Sequence, residues 1–117
     1  VKKCVKNYNI NLIDDPEIQA VKDMNEWLNQ VASCDAIISV ANTTIHGAGG
    51  LGKPTLCLLG GNADWRWLDD GSQTHSYWYP TVEIAREQIS PRDWSPALEQ
   101  IQDWWNRQSI STKQVKL

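Results

Sequence analysis

Asn42, Thr43, Thr44 and His46, followed by Gly47, Gly49, Gly50 and Gly52, lie between two apolar segments of the chain. A carboxamide, two hydroxyls and an imidazole this close together suit an anion. The first N–H groups of a helix are unpaired and carry partial positive charge, and phosphate oxygens fit them. His46 falls in the first turn of such a helix, within reach of the same anion. Spacing alone leaves a structural alternative open: Asn42 or Thr43 caps the helix and His46 is a polar residue on its surface. Each glycine costs a helix roughly 0.8–1 kcal/mol relative to alanine. Gly47, Gly49 and Gly50 therefore require a reason, either close packing or close approach of a ligand. They match neither a G-x-G-x-x-G turn directly after a strand nor a phosphate loop ending in G-K-[ST], and Lys53 precedes Pro54.

A second cluster is DWRWLDD, residues 64–70. Arg66, between Trp65 and Trp67, has the chemistry to stack on a ligand or pair with it. A structural pairing with Asp69 or Asp70 explains the same residues. His75 reads as a solvated loop residue, and Tyr77, Trp78 and Tyr79 as side chains that fold the loop onto the domain. The acid pairs Asp14-Asp15 and Asp69-Asp70 sit in turns, where such residues cap or face solvent. No Ser-His-Asp triad and no metal-ligand set follows from spacing. The expectation is a chain without a bound metal or cofactor and without a complete catalytic set of its own.

These groups need elements to hold them. Residues 36–40 (AIISV) form a continuous apolar run of strand length, expected to be buried on both faces. Residues 42–44 offer N-caps for a short helix over 45–51, which Gly52 ends as a left-handed cap. Residues 55–59 (TLCLL) make a second buried strand, so the whole reads as a right-handed βαβ unit. Before it, Ile18, Val21, Met24, Leu28 and Val31 recur at helical spacing beside Trp27. Two starts for that helix compete: Asp15 with Pro16, or Asp23 with Glu26 as a capping box, the second being favoured. Ile10, Leu12 and Ile13 suggest a short strand, and residues 1–8 look cut from something longer. Residues 60–80 form a long polar and aromatic loop, and loops of that length are usually functional or mobile. Residues 81–86 give a third strand. Ser95 caps a last helix with Pro96 at its first position and Leu98, Ile101, Trp104 and Trp105 as its apolar stripe. Residues 109–117 are a frayed tail. The fold class is α/β, a Rossmann-like parallel sheet with flanking helices, in one domain.

Composition removes several function classes. The chain has 117 residues, 41% hydrophobic and 21% charged, which is enough to bury one core. A net charge of -3 and the lack of a basic stripe exclude nucleic acid and anionic lipid as natural partners. No apolar run approaches the ~20 residues that span a bilayer, and no signal segment opens the chain. Cys4, Cys34 and Cys57 form no metal-binding pattern and suit a reducing compartment, so the expected location is cytoplasmic. The aromatic set is 7 Trp and 3 Tyr with no Phe. Trp combines a large apolar body with one N–H donor, which suits stacking sites and core corners alike.

The succession DAIISVANTTIHGAGGLGKPTLCLL, DWRWL and SYWYPTVEIAR resembles the C-terminal end of bacterial glycosyltransferases of the GT-B fold. The likeness is to heptosyltransferase-like proteins, including those fused to tetratricopeptide repeats, and runs from about residue 21 to 105. The resemblance implies a nucleotide-sugar-binding domain, part of the C-terminal half of a two-domain protein. It implies a nucleoside-diphosphate sugar as substrate, with Asn42, Thr43 and Thr44 at the diphosphate. His46 would stabilise the departing nucleoside diphosphate without a metal, and Arg66 would order a loop near the cleft. The acceptor site and catalytic base would belong to an N-terminal domain outside this chain, so the chain alone is expected to bind without turnover. Self-association through exposed core faces is compatible with that picture. Two departures stand out: Ala41 where many heptosyltransferases carry an acidic residue, and Gly47-Ala48-Gly49-Gly50-Leu51-Gly52 in place of L-A-G-A-L-G. The competing implications are a non-catalytic GT-B-like binding or interaction module and a sugar-nucleotide epimerase-like enzyme.

Overall fold

A computed structural model describes residues 13, 15–19, 21–67 and 72–108. The expected strand at Ile10 and Leu12, the acids Asp69 and Asp70, and the tail 109–117 lie outside the described residues. The elements in order are α1 (Met24–Ser33), β1 (Ile37–Val40), α2 (Thr43–Gly50), β2 (Thr55–Leu59), a 3-10 turn (Trp65–Trp67), β3 (Val82–Arg86), a small hairpin of β4 (Gln88–Ile89) and β5 (Arg92–Asp93), and α3 (Ser95–Arg107). The sheet is parallel and three-stranded in the order β1-β2-β3. It is flanked by helices, a Rossmann-like α/β arrangement.

Parallel register puts alternate residues on opposite faces. On one face Cys57, Leu59, Val82 and Ile84 pack with Ile45 of α2 and with Trp67 of the loop. On the other, Leu56 and Ala85 pack with Ala97 and Trp104 of α3. Arg107 fastens the end of α3 to β3, its two terminal nitrogens donating to the Glu83 carboxylate at 3.0 and 2.8 Å. α1 lies against α2 and the start of β1 in a cluster of Trp27, Val31, Ile37 and Ala48. β2, covered from both sides, is the buried strand. β1 corrects the expectation for residues 36–40. Ile38 and Val40 are 42% and 52% exposed, because α3 covers β2 and β3 but does not reach β1.

Helix ends follow side-chain chemistry. Asp23 caps α1 by accepting from the Asn25 and Glu26 N–H groups at 2.9 and 3.1 Å. Since the helix starts only there, Val21 is not part of its apolar stripe and is fully exposed, and Met24 is exposed too. α2 ends in a Schellman motif: Lys53 N–H donates to Ala48 O, Gly52 N–H donates to Gly49 O, and Gly52 sits at φ +69°. The start of α3 differs from expectation. Trp94 holds the cap position without a side-chain bond, Ser95 is already helical, and its N–H donates to Asp93 Oδ1 at 2.9 Å. Leu98, expected in the apolar stripe, is exposed; Ala97 and Trp104 are the buried residues of α3.

The glycines of α2 have a packing reason at two positions. A Cβ on Gly47 would stand 2.7 Å from the Trp27 ring, and one on Gly49 would stand 2.4 Å from Tyr79 Cγ. A Cβ on Gly50 would meet nothing of the described residues within 4 Å, and no contact explains this glycine.

Candidate functional site

In open parallel sheets, ligands collect at the carboxyl ends of the strands. Here a cleft of about 320 Å³ opens at the carboxyl ends of β1 and β2. Val40 and Ala41 line it from the first strand, Leu58, Leu59 and Gly60 from the second, Asn62, Ala63, Asp64 and Trp67 from the loop, and Trp94 from the turn before α3. Two connections that leave strands at this level therefore build the walls, and a side chain brought back by the β4–β5 hairpin completes them.

Ala41 leads directly into Asn42, the N-cap of α2, whose Oδ1 accepts from the Thr44 N–H at 2.9 Å. The Ile45 N–H donates to Asn42 O at 3.1 Å. Asn42 thus occupies two N–H groups of the first turn; among the described residues the Thr43 N–H and the hydroxyls of Thr43 and Thr44 have no hydrogen-bond partner. His46 is partly buried, one turn into the helix. Its Nδ1 lies 3.1 Å from Tyr79 Oη, and its ring centroid is 5.7 Å from that of Tyr79 and 6.0 Å from that of Trp67. His46 does not line the cleft; it stands behind Trp67, which does.

Arg66 is also outside the cleft wall. It donates from its backbone N–H to Asp64 Oδ1 at 2.8 Å and from Nη1 to Oδ2 at 3.3 Å, and its guanidinium lies 4.8 Å over the Trp65 ring. Among the described residues its carboxylate partner is Asp64. Both side chains are half exposed, so the pair is worth at most about 1 kcal/mol. The loop as a whole is well tied. Trp78 Nε1 donates to Arg66 O, Gln73 Nε2 donates to Trp67 O, and Arg86 Nη2 donates to Gln73 O at 2.8 Å. The stretch around His75 pairs antiparallel with β3, through Ser76 N–H to Val82 O and Ile84 N–H to Thr74 O. His75 is exposed, as expected of a solvated residue, yet its Nε2 is 3.9 Å from Glu83 Oε1.

Three features of the neighbourhood escaped sequence reasoning. Tyr79 holds His46 from 33 residues away, which no local pattern encodes. Trp94 reaches the cleft because a hairpin, with a cis Ser90–Pro91 bond, carries the chain back to it. Glu87, nearly buried, accepts from the Gly61 N–H at 2.9 Å and from Arg92 Nε and Nη2, both at 2.9 Å. The Arg92 guanidinium, then the Gly61 N–H, hold its carboxyl below the usual range. This latch fixes Gly61, which stands between Gly60 and Asn62 of the cleft wall. The Ser90-Pro91 pair is a turn signal that could have exposed the hairpin. Elsewhere, burial pushes the Cys57 thiol up to about 12, with Arg86 opposing, so this cysteine is an inert core residue. Among the described residues no group of three or more His, Cys, Asp or Glu side chains could hold a metal, and no helix is long and apolar enough to cross a membrane.

No protein-family model matches the chain, and no curated protein matches it.

Proposed function

We propose that this chain binds a nucleoside-diphosphate sugar at the carboxyl ends of β1 and β2, as the donor-binding part of a metal-independent GT-B glycosyltransferase of heptosyltransferase-like type. The observation that carries the reading is the junction at Ala41, where the strand enters a capped helix and a cleft opens beside it. Diphosphate oxygens take the Thr43 N–H and the hydroxyls of Thr43 and Thr44, in the positive field of the α2 N-terminus. Asn42 shapes that turn as its cap. His46, braced by Tyr79, turns its remaining ring nitrogen to the charge that develops on the departing nucleoside diphosphate. Arg66 orders the loop through Asp64. The acceptor and the catalytic base belong to an N-terminal domain, so the chain alone binds without turnover, in the cytoplasm.

The test is a thermal-denaturation series with nucleoside diphosphates, the matching monophosphates and pyrophosphate. A ligand at a hundred times its Kd stabilises the folded state by about 2.7 kcal/mol. A nucleoside diphosphate should raise Tm, and Thr43→Val should weaken this shift without lowering the ligand-free Tm, because Thr43 is exposed. A folded sample whose Tm no nucleoside diphosphate moves contradicts the reading.

A further inference from the structure

We infer that Tyr79 is a positioning residue that sets the tautomer of His46. Its hydroxyl donates to Nδ1 and keeps the imidazole proton on Nε2, so that His46 meets an anion as a neutral N–H donor. The place of the proton follows from the structure alone; what Nε2 donates to rests on the donor-binding reading.

A neutral imidazole carries one proton, and the nitrogen without it can only accept. His46 Nδ1 and Tyr79 Oη are 3.1 Å apart, so one proton lies between them, from one side or the other. Two arguments choose the side. Among the described residues, Nδ1 is the hydrogen-bond partner of the Tyr79 hydroxyl and no second one is present. A proton on Nδ1 would leave the phenol hydrogen of this part-buried pair without an acceptor there, which costs stability. A phenol is also the more acidic donor, and a bare imidazole nitrogen the more basic acceptor. The ring has little freedom to turn away. Its centroid is 5.7 Å from that of Tyr79, edge on, and 6.0 Å from that of the core residue Trp67. Half a turn about the Cβ–Cγ bond would put a carbon in place of Nδ1 and lose the contact. Tyr79 thus sets both the orientation of the ring and the place of its proton, and a bond at one nitrogen decides what the other can do.

The helix is built to admit this contact. Gly49 stands three residues after His46, on the same face of α2. A Cβ there would collide with the root of the Tyr79 side chain, so a bare backbone lets the tyrosine cross the helix and reach back to the imidazole. The loop then holds it in place. The Tyr79 N–H donates to Ser76 Oγ at 3.3 Å, and its carbonyl accepts from the Val82 N–H at 3.1 Å. Side chains of a helix lean toward its N-terminus, over the residues three and four before them. For His46 these are Thr43 and Asn42, the first turn of α2. Nε2–H adds a donor to that turn without adding a charge. With its proton in place, Nε2 can stabilise negative charge and cannot act as a base.

The experiment is long-range proton–nitrogen NMR of the imidazoles at pH 8, where a histidine is ordinarily neutral. It compares wild type with Tyr79→Phe, each with and without pyrophosphate. Wild-type His46 should show a single tautomer, with Nε2 protonated and Nδ1 bare. Tyr79→Phe keeps the ring that packs on Gly49 and removes the hydroxyl alone. Its His46 nitrogens should move toward the average of two exchanging tautomers, a change that a role in packing would not produce. Pyrophosphate should shift Nε2 more than Nδ1 in wild type, and should bind Tyr79→Phe about three- to tenfold more weakly, the effect of one lost hydrogen bond. The wild-type spectrum decides the place of the proton even if the variant is unstable. A proton on Nδ1 in wild type, or the same averaged pattern in both proteins, overturns the assignment and leaves the donor reading standing. Equal pyrophosphate affinity in the two proteins overturns Tyr79 as a positioning residue. A single tautomer that Tyr79→Phe releases, with no response of His46 or Thr43 to pyrophosphate or a nucleoside diphosphate, overturns the donor reading and leaves the assignment.

Discussion

Replacing the glycines of α2 one at a time separates backbone propensity from packing within a single helix. Alanine in place of a helical glycine gains roughly 0.5–1 kcal/mol if its methyl meets nothing. A Cβ on Gly50 would meet none of the described residues within 4 Å, so Gly50→Ala should raise stability by about that amount. At Gly49 the new Cβ stands 2.4 Å from Tyr79 Cγ, 2.7 Å from Cδ2 and 2.8 Å from Cβ, where ordinary contact is 3.4–4 Å. These atoms are the root of the side chain, so rotation of the ring does not relieve the overlap. The Tyr79 backbone cannot drift either, since its N–H donates to Ser76 Oγ and its carbonyl accepts from Val82 N–H. Overpacking of this kind costs about 1–3 kcal/mol or more. With the helix gain subtracted, Gly49→Ala should lose about 2 kcal/mol. For a domain of this size that is a fall in Tm of roughly 6–12 °C, against a rise of roughly 2–5 °C for Gly50→Ala. Gly47→Ala should fall between them, because the nearest atom there, Cη2 of Trp27 at 2.7 Å, is the far end of a side chain. Urea unfolding followed by tryptophan fluorescence gives all three values on one scale. Equal shifts for the three variants, or a Gly49→Ala protein as stable as wild type, would show that close approach is not what Gly49 serves.

Three further outcomes follow from the packing and the charges. Trp104, 1% exposed between β2, β3 and α3, should cost about 3–5 kcal/mol as Trp104→Ala, enough to unfold a marginal domain; a cooperative transition at the wild-type urea midpoint would contradict its core role. Glu87, Glu83 and Asp93 all have folded-state carboxyls below their ordinary values, so the stability they add is present above the unfolded values and is lost as pH falls through the folded ones. Tm should therefore drop below about pH 4.5, and Glu87→Gln should lower the neutral-pH Tm while flattening that acid limb; an unchanged acid slope would exclude Glu87 as a contributor. Cys57, with its thiol pushed up to about 12 by burial, should resist a thiol reagent at pH 8 in the folded protein and react once urea is added; fast labelling without denaturant would contradict its burial.

What the sequence made legible was whatever rests on near neighbours along the chain. Asp23 with Glu26 marked the start of α1, Gly52 marked the end of α2, and the segments at residues 36–40, 55–59 and 81–86 marked the strands, which run over Ile37–Val40, Thr55–Leu59 and Val82–Arg86. Burial was harder to read, because Ile38 is exposed for lack of a covering helix over β1, not through any property of its own run. The start of α3 was misread because Asp93, two residues before Ser95, supplies the acceptor that Ser95 was expected to give. In the site, the cap at Asn42 was legible and the cleft was not. Its wall joins residues from position 40 to position 94, brought together by strand register and by a hairpin that Glu87 with Arg92 locks. The His46–Tyr79 contact has the same origin, and it is also why Gly49 has no room for a side chain.

The two borders of the sheet are unlike. Beyond β3, the Thr74–Ser76 stretch already takes the outward Val82 carbonyl and the Ile84 N–H. Beyond β1, no strand of the described residues pairs, and Ile38 and Val40 stand half-bare next to that row of backbone groups. A ribbon with two open borders can be extended from both sides into a fibre, whereas one with a single open border cannot. If two copies join through the border of β1 that the described residues leave open, each consumes the other's and assembly stops at a closed pair. The antiparallel lining of β3 thus limits how far this sheet can grow.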